Sequence, residues 1–285
     1  MNLAPLRGID GLKRPWEGDC TPRPWQFKVT VAIPCVDHAH ETRLIVDLYR
    51  ASKEKPYFLL IDTGSTDAEN HALMSLRARD VEVWDIRTNG VQHPSDLPAF
   101  AMDLAFSRCP SPFLFATHND CFPMRRDLLS WYLELMGKGH SCVGYQMSPR
   151  SVEGWKGLPS HTATMYRMST MDSIGAGWSL RRWNTLFGKL TRRDDAVAVG
   201  WPDTEVLIGT LMKASGVSWY KVGDESNHAR HLDGNVDHCR SLASSGLYAA
   251  EYFKKATEWC AAALASAEDR LKVWRQVVDF LPPRR

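Results

Sequence analysis

The chain has 285 residues, is 44% hydrophobic and 24% charged, and carries a formal net charge of +2. This is the composition of a globular protein with a large core, and it excludes a disordered chain of low hydrophobicity. So small a net charge argues against nucleic-acid binding by electrostatics alone and leaves an anionic small-molecule partner open.

Seven cysteines, an odd number without a CxxC pair, read as reduced thiols of a cytoplasmic compartment and not as a disulfide framework. The first residues have no apolar leader core, and no stretch approaches the ~18 apolar residues of a membrane span. The expectation is a soluble, unprocessed protein without an integral membrane segment.

Residues 1–26 are rich in Pro, Gly, Trp and charge without periodicity, and read as an N-terminal arm. From Lys28 the texture changes. KVTVAIP, YFLLID, VEVWDI and PFLFAT are short runs rich in β-branched and aromatic residues, alternating with helix-like segments near 41–53, 67–78 and 97–107. Strands separated by helical patterns predict βαβ units, hence an α/β fold with a mostly parallel sheet. Further on, the patterns predict a helix over Arg125 to Met136, a strand in SCVGYQM and a Gly/Trp/Pro loop over Gly154 to Pro159. Helical stretches follow around MYRMSTM and from Asp203 to Ser215, with a last strand in VSWYKV.

Leu247 to Leu281 reads as one or two amphipathic helices that pack on the core, pair with a second copy in a homodimer, or lie on a membrane surface. The mixed charge of their polar face favours the core. The division is therefore an arm (1–26), an α/β domain (27–235) and a C-terminal helical extension (236–285).

In such sheets ligands bind outside the carboxyl ends of the strands, where loops converge and helix N-termini favour anions. IPCVD, IDTGSTD, the TNGVQHP region with His93, and THND occupy those four places. In IDTGSTD, Ser65 or Thr66 can cap a helix and Asp67 suits its first turn, whereas Asp62 lies at the strand end, where a carboxylate can accept from a base or a ribose hydroxyl. In THND, Asn119 and Asp120 read either as turn formers before Pro123 or, at the end of a fourth consecutive strand, as a ligand site. There Asp120 and His118 can hold a divalent cation that neutralises a diphosphate.

Asp203 and Glu205 open a helix, where acids serve the dipole or act as a general base. HARHLDGNVDHC groups His228, His231, His238 and Cys239 but fits no zinc spacing, so a single histidine completing another metal site is the preferred reading. A GxGxxG, a GxxxxGK[ST] and a GxSxG elbow are all missing from the expected places, which disfavours dinucleotide, P-loop and α/β-hydrolase chemistry.

The ordered set VAIPCVD, FLLIDTGSTD, FLFATHND with a following Pro, PDTEVL and a late histidine resembles the glycosyltransferase A (GT-A) fold, close to the family 2 glycosyltransferases. The resemblance covers roughly Lys28 to His231. It implies a Rossmann-like, mostly parallel central sheet flanked by helices, and transfer of a sugar from a nucleotide-sugar donor, UDP-linked by preference, to a hydroxyl acceptor with inversion. The acceptor is a glycan, a protein, a small molecule or a modified nucleic acid.

By the same resemblance Pro34 and Asp37 line the base pocket, Asp62 contacts the base or ribose, and His93 and Asn119 belong to the donor site. Asp120 matches the last acid of the family's Asp-X-Asp motif and implies Mn²⁺ or Mg²⁺, with His118 and His228 or His231 as further ligands. Asp203 falls at the general base, and Glu205 is its rival. Trp155, His161 and Tyr166 stand in the order expected of an acceptor wall, although aromatic residues there read equally well as core.

Three departures stand out. His118 replaces the first acid of Asp-X-Asp, Thr63 replaces the second acid of an Asp-Asp pair, and Pro202 precedes Asp203 where Glu is usual. A nitrogen at position 118 suits Mn²⁺ better than Mg²⁺. The first two departures also favour the rival reading of a sugar- or nucleotide-binding protein with weakened chemistry. A nucleotidyltransferase would want a basic, Gly-rich first loop, which VAIPCVDHAH lacks.

Overall fold

The computed structural model describes residues 27–86, 96–145, 159, 162–178, 206–223, 229–231 and 250–279. In chain order they form β1 (Val29–Cys35), α1 (Ala39–Arg50), β2 (Tyr57–Asp62), α2 (Asp67–Met74), β3 (Val81–Asp85), α3 (Asp96–Arg108), β4 (Phe113–Ala116) and β5 (Cys121–Pro123). After these come α4 (Leu128–Gly137), β6 (Cys142–Gly144), β7 (Thr164–Arg167), α5 (Met168–Ser173), α6 (Val206–Ala214), β8 (Trp219–Lys221), β9 (Ala229–His231) and α7 (Ala250–Asp279).

The main sheet has seven strands in the order β3-β2-β1-β4-β7-β6-β8. All of its neighbouring pairs are parallel except those of β7, which runs antiparallel to both β4 and β6. β5 and β9 make a separate antiparallel pair.

Burial on both faces explains why the strands read as continuous apolar runs. Their side chains alternate between two cores. Val29, Val31, Ile33, Phe58, Leu60 and Phe115 join the cluster formed with α1, α4 and α7. Tyr57, Leu59, Ile61, Leu114, Ala116 and Tyr166 join the cluster formed with α3, α5 and α6. The sheet is thus the middle of three layers, and the α/β expectation holds.

One predicted element differs, and a short strand was not predicted. MYRMSTM is not one helical stretch: Thr164–Arg167 is the antiparallel strand β7 and only Met168–Ser173 is helix. Four residues are too few to separate a period of two from one of 3.6, and the methionines bias the reading towards helix. β5 went unpredicted because three residues ending in proline carry no strand signal. Proline is tolerated there because β5 has a partner on one side only.

At Gly144 a Cβ would lie 2.0 Å from Oγ1 of the buried Thr164 on the neighbouring strand. Gly144→Ala is therefore expected to destabilise by about 1–3 kcal/mol through overpacking. Denaturant unfolding checks it, as a lower midpoint at unchanged slope.

The C-terminal segment is a single helix across the described residues. Ala263, Ala267, Leu271 and Trp274 recur on one buried face and pack in the same core as α1. Arg275 donates to Asp47 Oδ2 at 2.8 Å, and His40 Nε2 lies 3.4 Å from Glu268 Oε1. Core packing is what the mixed charge of this segment predicted. No helix among the described residues is long and apolar enough to cross a membrane.

Candidate donor site at the sheet switch point

The strand order reverses at β1, with β2 and β3 to one side and β4 to the other. Loops on the two sides of such a switch separate and open a crevice at the carboxyl ends of β1 and β4. The segments following β1, β2 and β4 meet there.

Asp62 ends β2 and is fully buried. Its Oδ1 accepts from the backbone N–H of Gly64 (3.1 Å) and Ser65 (2.9 Å), and its Oδ2 accepts from Asn70 Nδ2 at 2.7 Å. The carboxylate organises its own loop, so the exposed ligand contact expected from its strand-end position is not what the geometry presents. Thr63 is equally committed: its N–H and its hydroxyl both donate to the Cys35 carbonyl, at 3.0 and 3.3 Å. The Cys35 thiol is pushed up to about 12, by burial first and by the Asp62 charge second, so it is no nucleophile.

After β1, Asp37 (φ 54°) and His38 (φ 57°) are two successive non-glycine residues in the left-handed region. That conformation costs on the order of 1–2 kcal/mol per residue. Hydrogen bonds to both neighbouring loops hold it. Asp37 N–H donates to Ser65 Oγ (2.6 Å), its Oδ1 accepts from Thr66 N–H (2.8 Å), and its carbonyl accepts from Asn119 Nδ2 (3.3 Å). Ala39 N–H at the start of α1 donates to Glu69 Oε2 of α2 at 2.8 Å.

Thr66-x-x-Glu69 is a capping-box sequence, and Thr66 Oγ1 does accept from Glu69 N–H at 3.4 Å. The return bond is exchanged, however. Asp37 takes the Thr66 amide, and Glu69 caps α1 instead. The helix starts after β1 and β2 therefore face protein carboxylates. At these two loops the general preference of helix N-termini for anions is already satisfied from within.

At the end of β4, Thr117 N–H donates to the Ala32 carbonyl, and Cys121 N–H donates to the His118 carbonyl at 3.2 Å to close the turn. His118 Nδ1 and Asp120 Oδ1 lie 3.9 Å apart, and both side chains are largely buried. β5 leaves this turn directly and pairs with β9 so that Cys121 lies opposite His231. The ladder thus returns the chain's late histidine to within one residue of Asp120, although the two positions are far apart in sequence.

Among the described residues no group of three or more His, Cys, Asp or Glu side chains forms a ready metal cage. One carboxylate beside one imidazole nevertheless fits a cation of intermediate hardness that takes its remaining ligands from a substrate's phosphates.

Pro34 sits near the end of β1, paired with Ile61. Tyr166 is not on an acceptor wall: it is fully buried in β7, with the rings of Phe106 and Trp178 5.6 and 5.7 Å away. Of the two readings of that aromatic, core is the one observed. His93, Trp155, His161, Asp203, Glu205 and His228 lie outside the described residues.

No protein-family model matches the chain, and no curated protein matches it in sequence. Solved structures do match. A mannosyltransferase from Pyrobaculum calidifontis, in complex with GDP-Man and Mn²⁺, aligns over 96% of this chain and 81% of its own, at 14% identity and a TM-score of 0.51. The chain has the GT-A fold.

Weaker likenesses are S. aureus TarS residues 1–349 with UDP-GlcNAc (13% identity, 79% and 68% coverage, TM-score 0.48) and Mycobacterium tuberculosis glucosyl-3-phosphoglycerate synthase with phosphoglyceric acid (12%, 80% and 83%, 0.47). The switch point between β1 and β4 and the His118–Asp120 turn lie at the carboxyl edge of the sheet. The interlock of Asp37, Ser65 and Glu69 was missed in sequence. Its one local signal was the capping box, which does not reveal that Glu69 serves another helix.

Proposed function

We propose that the protein is a metal-dependent glycosyltransferase that moves a sugar from a nucleotide-sugar donor to a hydroxyl acceptor with inversion. The observation that carries this reading is the convergence of Asp120, His118 and the His231 position at the end of β4, beside two helix starts already filled by protein carboxylates. It rests also on the fold shared with a mannosyltransferase that binds GDP-Man and Mn²⁺.

Asp120 and His118 hold the cation, with His231 or His228 as a further ligand. A bound Mn²⁺ or Mg²⁺ supplies neutralisation of the charge that develops on the departing diphosphate. Asp37 keeps one carboxylate oxygen on Thr66, while its second takes no hydrogen bond from the described residues and faces the donor's base or ribose. Asp62, with Pro34, His93 and Asn119, shapes that pocket.

The acceptor hydroxyl passes its proton to Asp203, with Glu205 as the alternative base, as its oxygen bonds to the anomeric carbon. The bond from that carbon to the diphosphate oxygen breaks, and the nucleoside diphosphate leaves with the electron pair. Trp155 and His161 are assigned to acceptor binding. UDP is the preferred donor nucleotide, and GDP is the second candidate on the strength of the mannosyltransferase.

A thermal-shift screen of UDP, GDP, CDP and TDP with and without Mn²⁺ tests the donor site, since a ligand that binds only the folded state raises the midpoint. A nucleotide-selective rise that requires Mn²⁺ is expected. No rise with any nucleotide would leave a GT-A fold without donor chemistry.

A further inference from the structure

The loop after β1 carries backbone strain where the nucleoside is assigned, since Asp37 and His38 stand in succession at φ 54° and 57°. Strain of this kind persists only where the surroundings over-determine it, and it collects at ligand clamps. Here the surroundings act from both sides of the switch point. From the β2 side, Ser65 Oγ holds the Asp37 amide at 2.6 Å, the Thr66 amide holds Asp37 Oδ1 at 2.8 Å, and Glu69 Oε2 holds the Ala39 amide at 2.8 Å. From the β4 side, Asn119 Nδ2 donates to the Asp37 carbonyl at 3.3 Å.

Asn119 is 8% exposed and stands between His118 and Asp120, the pair assigned to the cation. Its amide nitrogen is spent on the neighbouring loop. One short turn therefore serves two halves of a donor: its charge goes to the cation and diphosphate, and its hydrogen bond goes to the loop that meets the base or ribose. The strain of two left-handed residues is comparable to the net worth of a few hydrogen bonds, so each bond that opposes it counts. Because Thr66 already takes Asp37 Oδ1, the place of the second carboxylate oxygen follows from the Asp37 backbone, whose carbonyl Asn119 holds.

We propose that Asn119 is a positioning residue for nucleoside recognition. It fixes the Asp37 backbone, and with it the carboxylate oxygen turned to the base or ribose, and it has no share in holding the cation. The idea rests on the donor-site reading above. It divides the 117–121 turn between two tasks, with adjacent residues serving different parts of the donor.

The test compares two titrations of the full chain. UDP and, separately, GDP are titrated calorimetrically at saturating Mn²⁺. Mn²⁺ is then titrated in the presence of pyrophosphate, a diphosphate without a nucleoside, and followed by loss of the free-ion paramagnetic resonance signal. Asn119→Ala and Asn119→Asp are each expected to weaken the nucleotide about fivefold, the worth of one such hydrogen bond. The aspartate keeps the size and the turn preference of asparagine but sets an oxygen against the Asp37 carbonyl. Mn²⁺ with pyrophosphate should bind Asn119→Ala as it binds the wild type, and should bind Asn119→Asp as tightly or more tightly, because that variant adds a carboxylate to the turn. Asp120→Asn should instead weaken Mn²⁺ in the second titration.

Unchanged nucleotide affinity in both Asn119 variants overturns the proposal. So does an equal loss in the two titrations, which marks Asn119 as a support of the cation turn or of the fold at large. A wild type that binds neither UDP nor GDP at saturating Mn²⁺ overturns the donor-site reading itself, and the role of Asn119 with it, before any variant is made.

Discussion

Asp120→Ala is expected to lower donor turnover by on the order of a hundredfold or more and to abolish the Mn²⁺-dependent part of nucleotide binding. The size of the effect follows from the turn's composition. With His118 in place of a second acid, Asp120 carries all the formal negative charge that the 117–121 turn offers a cation. Its removal leaves an imidazole and no carboxylate facing a diphosphate, whereas a turn with two acids would keep one.

Asp120→Asn is the sharper comparison, because it preserves shape and turn chemistry while deleting the charge. Steady-state turnover of a nucleotide sugar, together with the Mn²⁺ titration, reads both variants. Near-normal turnover in either would move the cation site away from β4.

Asp62→Ala is expected to cost on the order of 3 kcal/mol or more of folding stability. It leaves the Gly64 and Ser65 amides and the Asn70 side-chain amide without the carboxylate that receives them. The damage should spread, since Ser65 and Thr66 are the groups that hold Asp37 in its left-handed conformation. Asp62→Asn should recover only part of the loss, because its amide brings a donor to a place already supplied with three. Denaturant unfolding of the variants measures this. A change below about 0.5 kcal/mol, the size usual for surface positions, would show that the loop is held by something other than Asp62.

Much of the sheet was legible in the sequence because each of its first four strands is a local apolar run bounded by turn chemistry, and KVTVAIP, YFLLID, VEVWDI and PFLFAT all became strands. The site was legible to the extent that it follows from sheet topology, which puts Asp37, Asp62 and His118 to Asp120 at strand ends. What escaped was nonlocal. Nothing in CFP or ARH announces that they pair, yet that pairing brings the His231 position opposite Cys121, beside the 117–121 turn.

The direction of a side chain escaped as well. Asp62 stands at a strand end, where a ligand contact is expected, but whether a strand-end carboxylate points to solvent or back into its loop depends on Asn70, eight residues on. Tyr166 failed for the converse reason. An aromatic in a four-residue strand reads as wall or core until its neighbours Phe106 and Trp178, from other elements, are in place.

The measurement that bears most directly on the donor site is the release of nucleoside diphosphate from UDP-linked and GDP-linked sugars, followed by chromatography with Mn²⁺ and with a chelator. Slow donor hydrolysis without acceptor is expected for one class of nucleotide sugar, present with Mn²⁺, absent with chelator and absent in Asp120→Ala. If wild-type protein cleaves no nucleotide sugar, and none raises its melting temperature with Mn²⁺, the glycosyltransferase account is contradicted, and the fold has been kept for another use.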